Sequence, residues 1–156
     1  MKNDASHLTV VLEVALLRRD QALQSLGQAQ QQQQQALLQM SQLQGYSVET
    51  LQRWSARASG GVSVLLLHTH QTFMGRLEHA QAFQQQQLQQ HAAEVQRCQN
   101  ALIEAERELA SLRKYQQRRH QVWLLQQQRQ EQKSNDEMAA VQYRLHAGDN
   151  PWRSTP

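Results

Sequence analysis

Glycine and proline are scarce, 6 and 2 in 156 residues, less than half the usual share of a globular domain, about 12%. The turns that many short strands require are missing, which excludes an all-β fold. A single cysteine, Cys98, excludes an internal disulfide and any zinc site built from several thiolates, and is compatible with a reducing compartment. Aromatic residues make up only 5% of the chain, too few for a broad globular core. No unbroken apolar run exceeds four residues, as in Val14 to Leu17 and Val64 to Leu67, against roughly 20 for a helix that crosses a bilayer. No membrane span is expected. Asp4 in the would-be basic region, Glu13 in the apolar stretch and Arg18-Arg19-Asp20 after it are unlike a signal peptide, so a cytosolic chain is expected. Charge is also nearly balanced, 16 Lys and Arg against 13 Asp and Glu. That excess is too small to make nucleic acid the default partner, although the sequence pI of 9.4 keeps the possibility in view.

The chain is instead rich in glutamine (32), leucine (21) and alanine (17), all good helix formers. Ser59-Gly60-Gly61-Val62-Ser63 holds the only Gly-Gly pair and separates two long segments of this composition, marking a hairpin turn. Before it, a heptad frame fits residues 8 to 54. One seam position reads Leu12, Arg19, Leu26, Gln33, Met40, Ser47, Trp54, and the other Leu8, Ala15, Ala22, Ala29, Ala36, Leu43, Thr50. Leu16, Leu23, Leu37 and Leu51 at the adjacent position widen the apolar stripe. After the turn, Met74, Gln81, Leu88, Val95, Leu102, Leu109, Gln116, Trp123 and Leu77, Gln84, His91, Cys98, Ala105, Leu112, Arg119 form a second pair of seam positions.

The spacing predicts an all-α fold, a long antiparallel two-helix coiled-coil hairpin with a longer second helix. The expected parts are a first helix over 1–57, a turn over 58–66, a second helix over 67–147 and a disordered tail over 148–156. Two registers fit. Layers whose residue numbers sum to 124 place Ala29 against Val95, Leu26 against Cys98 and Ala36 against Leu88, so that small residues face large ones. A register one heptad shorter, summing to 117, pairs Met40 with Leu77 and Leu43 with Met74. Either leaves residues from about 118 onward without a partner on the first helix, an overhang of roughly 45 Å. Ser134-Asn135-Asp136-Glu137 has the form of a capping box, a point within the second helix at which it could break and restart. Glutamines 33, 81, 84, 116 and 126 occupy seam positions, and each buried amide needs a hydrogen bond. The runs Gln30 to Gln35 and Gln84 to Gln87 continue the heptads and are read as helical.

No constellation for catalysis or metal binding emerges. His68 and His70 are two apart and point to different sides of a helix, whereas ligands on one face need a spacing of three or four. Cys98 falls on the seam, where a thiol packs as a small apolar group. There is no P-loop, no dinucleotide fingerprint and no strand to carry either, and two narrow helices offer no cleft of ligand size. No enzymatic activity, catalytic residue, metal or cofactor is therefore expected. Residues 109 to 135 carry Arg113, Lys114, Arg118, Arg119, Arg129 and Lys133 against Glu131 alone. Such a stretch suits a solvated helix face or electrostatic docking on an acidic partner. Gln39, Leu43, Tyr46, Phe73, Leu77 and Ala80 come close together if the hairpin forms. Among them Tyr46 and Phe73 lie off the seam, where a two-helix rod cannot fully bury an aromatic ring.

In order and spacing the chain resembles the FliJ family of flagellar type III export proteins and its relatives in virulence-type secretion. The resemblance runs from Leu8 to Arg144. It is carried by Leu16-Leu17-Arg18, by Leu37 to Tyr46 ending in Leu43-Gln44-Gly45-Tyr46, by Phe73-Met74-Gly75-Arg76-Leu77 with Gln87 after it, and by Gln132 to Ala139. It implies a cytoplasmic, non-enzymatic coiled-coil stalk of the motility apparatus, peripherally associated with the inner membrane through the export apparatus. The implied partners are a hexameric export ATPase that receives the terminal ends, an export gate membrane protein and export chaperones. A monomer is expected, with no nucleic acid bound. By position the gate-binding residues would be Gln39, Leu43, Tyr46, Phe73, Leu77 and Ala80. Thr50 stands where the family usually has a second Tyr, and Gln84 where a His can be found. Arg18, Arg19, Arg118 and Arg119 are the candidates for docking to the ATPase. The alternatives are the stalk of a virulence-type system, or a general coiled-coil adaptor or secretion chaperone that self-associates through its seams.

Overall fold

A computed structural model describes residues 2–148, with side chains from His7 onward. Among the described residues two helices make up the fold, α1 (Lys2–Ala58, 57 residues) and α2 (Val64–Gly148, 85 residues). The protein is an all-α helical hairpin whose second helix is the longer. It divides into two compact units, Thr9–Leu109, and Met1–Leu8 with Ala110–Pro156.

The unit Thr9–Leu109 contains the turn and the antiparallel helix pair. α1 ends because its last amides tighten into i→i−3 bonds, Gly60 N–H to the Arg57 carbonyl at 3.2 Å and Gly61 N–H to the Ala58 carbonyl at 3.1 Å. Gly61 then adopts φ +84°, the left-handed region that costs a side chain dearly. Ser63 caps the start of α2. Its Oγ accepts from the Leu66 N–H at 3.2 Å, and its carbonyl accepts the first helical bond, from Leu67 N–H at 3.0 Å. The cap explains why α2 begins at Val64 instead of 67, so that the turn is shorter than the expected 58–66.

Burial follows the heptads closely. The buried apolar residues are Ala15, Ala29 and Ala36 on α1 and Leu77, Val95, Cys98 and Leu109 on α2, all at seam positions. Leu12, Arg19, Ala22, Leu26, Gln33 and Met40 are half-buried between them. The register is the one whose paired numbers sum to 124. Ala29, Val95 and Cys98 form one core cluster with Leu26 packed on it, Gln81 reaches the Leu43 carbonyl, and the Trp54 and His70 rings stack. Alanine on one helix stands against a larger residue on the other, the small-to-large matching that close packing requires.

Two of the seam glutamines, Gln81 and Gln84, satisfy their amides across the pair, while Gln116 and Gln126 are exposed. Gln84 Nε2 donates to the Ala36 carbonyl at 2.9 Å and to Gln39 Oε1 at 3.2 Å, and Gln81 Nε2 donates to the Leu43 carbonyl at 3.3 Å. Among the described residues no buried side-chain N or O lacks a partner. One expectation fails here. Leu16 is half-buried, but Leu23, Leu37 and Leu51 are exposed, so the apolar stripe is not widened into the core. Two helices in contact cover little more than the two seam positions of each heptad, and a third position needs a third helix.

In the other unit α2 continues through Ser134 to Glu137 without interruption, so the capping-box sequence does not break it. Asn, Asp and Ser are only mildly unfavourable inside a helix, and a continuous run of backbone hydrogen bonds outweighs their capping preference. The described part of the helix runs to Gly148, and the rest of the tail expected over 148–156 lies outside the described residues. Every residue from 120 to 148 is exposed.

Candidate functional site

The six residues read as a contact surface, Gln39, Leu43, Tyr46, Phe73, Leu77 and Ala80, all lie in the unit Thr9–Leu109. They divide by environment. Leu77 is buried and Leu43 and Ala80 are half-buried, as seam positions and their immediate neighbour should be. Gln39 faces solvent and accepts from Gln84, while Tyr46 and Phe73 expose 64% and 43% of their surface. The two rings therefore present apolar area that the hairpin does not cover.

Trp54 has an aromatic partner that lies outside the seam positions read from Met74 onward. His70 stacks on it with ring centroids 4.0 Å apart and planes 2° from parallel. Extending the second heptad frame one repeat toward the turn would have placed His70 on the seam, opposite Trp54 in the same register. Beside this stack, Thr50, Arg53, Trp54, Leu66, His70 and Phe73 help to line a shallow groove of about 250 Å³. Phe73 thus belongs both to the sequence-derived surface and to this groove.

The candidate docking arginines have separate surroundings. Arg18 pairs with Glu108 across the helices at 3.3 Å, and Arg19 with its neighbour Asp20 at 2.7 Å, both within Thr9–Leu109. Arg118 and Arg119 belong to the other unit, where the Arg119 guanidinium lies 5.9 Å from the centre of the Tyr115 ring. Nearby, His120 stacks on Trp123. Arg113, Lys114, Arg118, Arg129 and Lys133 form no ion pair among the described residues, which leaves this length of α2 strongly positive.

Elsewhere the chemistry is modest. Cys98 is buried in the seam and its Sγ lies 3.7 Å from Glu94 Oε1. Arg97, whose Nε donates to Glu94 Oε2 at 2.9 Å, holds the Glu94 carboxyl below its ordinary value, and the same contact raises Arg97. Among the described residues no three His, Cys, Asp or Glu side chains are grouped to hold a metal, and no helix is long and apolar enough to cross a membrane.

The family model of the flagellar FliJ protein matches residues 4–148. The chain belongs to the FliJ family. Membership makes it a flagellar export-related protein in general, from a family of export components and not of enzymes. No curated protein and no solved structure matches it.

Proposed function

We propose that this FliJ-family chain is a coiled-coil stalk that associates with the export ATPase ring and links it to the export gate. The observation that carries the reading is the inequality of the helices. α2 has 85 residues against 57, and its described residues from 120 onward are exposed throughout, including Val122, Trp123, Leu125 and Val141. An unpartnered helix of that length with uncovered apolar side chains is suited to burial in another protein. Its unpaired cations favour an acidic or polar lining. Tyr46 and Phe73 in the other unit supply the apolar surface for the gate, and export chaperones are further candidate partners. The expected setting is the cytoplasmic face of the inner membrane, reached through the export apparatus.

The test is a pull-down of the purified chain with the export ATPase of the same cells, with ATP hydrolysis followed at rising concentrations of the chain. Saturable binding that changes turnover supports the stalk. Absence of binding by the folded chain across a salt range refutes it. Exchange of Arg18, Arg19, Arg118 and Arg119 for Glu should weaken the association, most strongly at low ionic strength. Tyr46→Ala with Phe73→Ala should weaken binding to the gate without loss of helicity.

A second reading rests on the exposed Leu23, Leu37 and Leu51, which recur along one line of α1. A self-associating adaptor or secretion chaperone would cover them with a second copy. Sedimentation equilibrium separates the two, since a stalk is a monomer or weakly associating and the adaptor a stable oligomer.

A further inference from the structure

The end of the hairpin around the turn combines two features that the stalk reading does not use. Residues 50–77 contain no Asp or Glu but include Arg53, Arg57 and Arg76, together with His68 and His70. Arg53 pairs with Glu49, just outside that segment, and Arg57 and Arg76 form no ion pair among the described residues. Four consecutive apolar residues open α2 here. Val64 and Leu65 expose 83% and 76% of their surface, and Leu66 and Leu67 are also exposed.

Consecutive residues on a helix point about 100° apart, so these four surround the helix end instead of forming one face. A protein groove takes side chains three or four residues apart from a single face. An apolar end that is open chiefly at Val64 and Leu65 and partly at Leu66 and Leu67 suits a medium that can close around it, and the acid-free basic flank suits a negative surface. We propose that the turn of the hairpin docks directly on an anionic lipid surface, with Val64 and Leu65 entering the interface and Arg53 and Arg57 at the level of the headgroups. The helices do not span the bilayer. The contact is interfacial, and it does not depend on the ATPase or the gate.

The test is cosedimentation of the full chain with vesicles of phosphatidylcholine, alone or with a one-third share of phosphatidylglycerol. The chain is expected to pellet with the anionic vesicles at least about tenfold better than with the neutral ones, given roughly fivefold per basic residue near such a surface. Arg53→Gln with Arg57→Gln should remove most of that preference. Val64→Asn with Leu65→Asn should abolish pelleting while helicity is retained. Phe83→Asn with Ile103→Asn, which removes exposed apolar groups elsewhere on the same unit, should leave pelleting unchanged. Equal pelleting by the Val64/Leu65 variant, or none by the folded wild-type chain at low salt, would overturn the proposal. Turn-dependent binding to poly-glutamate without binding to vesicles would overturn it in favour of an acidic protein surface.

Discussion

The layer Ala29 with Val95 offers a direct test of how the helices are matched, because it joins a buried small residue to a buried larger one in the same cluster as Cys98 and Leu26. Val95→Ala removes two carbons from the seam. At about 0.8 kcal/mol per buried CH₂ the transfer loss is about 1.6 kcal/mol, and incomplete collapse of the cavity adds to it. Ala29→Val alone adds the same volume to a filled layer and should cost about 1–3 kcal/mol through displaced rotamers. The double variant restores the layer's volume with the large residue on the opposite helix. Because the two sites touch, the costs should not add, and a favourable coupling of about 1 kcal/mol or more is expected. Urea unfolding followed by far-UV circular dichroism, at a protein concentration where the chain is monomeric, measures all four proteins. In the register one heptad shorter Ala29 would instead face Leu88. Additive costs in the double variant would therefore refute the pairing on which the description of the seam rests.

Gly61→Ala should destabilise the hairpin by about 1–2 kcal/mol, since φ +84° forces a Cβ into the left-handed region, and thermal unfolding of the variant checks this. Loss of the Ser63 hydroxyl in Ser63→Ala should cost about 1 kcal/mol by releasing the Leu66 amide, and hydrogen exchange should quicken in the first turn of α2 more than elsewhere. The Glu94 carboxyl is held below its ordinary value of 4.5 by Arg97, so its contribution is present above that value and is lost as pH falls through the lower, folded value. Wild type should thus lose its advantage over Glu94→Gln on acidification at low salt; a difference independent of pH would refute the assignment.

Much of the fold was legible without coordinates, because a two-helix seam repeats every seven residues and repetition is visible in a linear string. The seam positions read from Leu12 to Thr50 and from Met74 to Leu112 are all buried or half-buried. The candidate contact surface was legible only in outline. Tyr46 and Phe73 could be read as uncovered because they lie off the seam, whereas the stack of His70 on Trp54 depends on the register across the turn.

What the sequence determined by itself is therefore what is local or periodic: helix, the turn at Gly60-Gly61, the seam, and the cationic stretch after Leu109. The tertiary structure decided what depends on pairing. It selected one register through Ala29, Val95 and the amides of Gln81 and Gln84, and it left Leu23, Leu37 and Leu51 uncovered for want of a third helix. It also carried α2 through Ser134-Asn135-Asp136-Glu137, where a capping signal yields to the bonds of a continuous helix. Heptad periodicity is unchanged by a shift of seven residues, so only the fit of particular side chains across the seam can distinguish one register from the next.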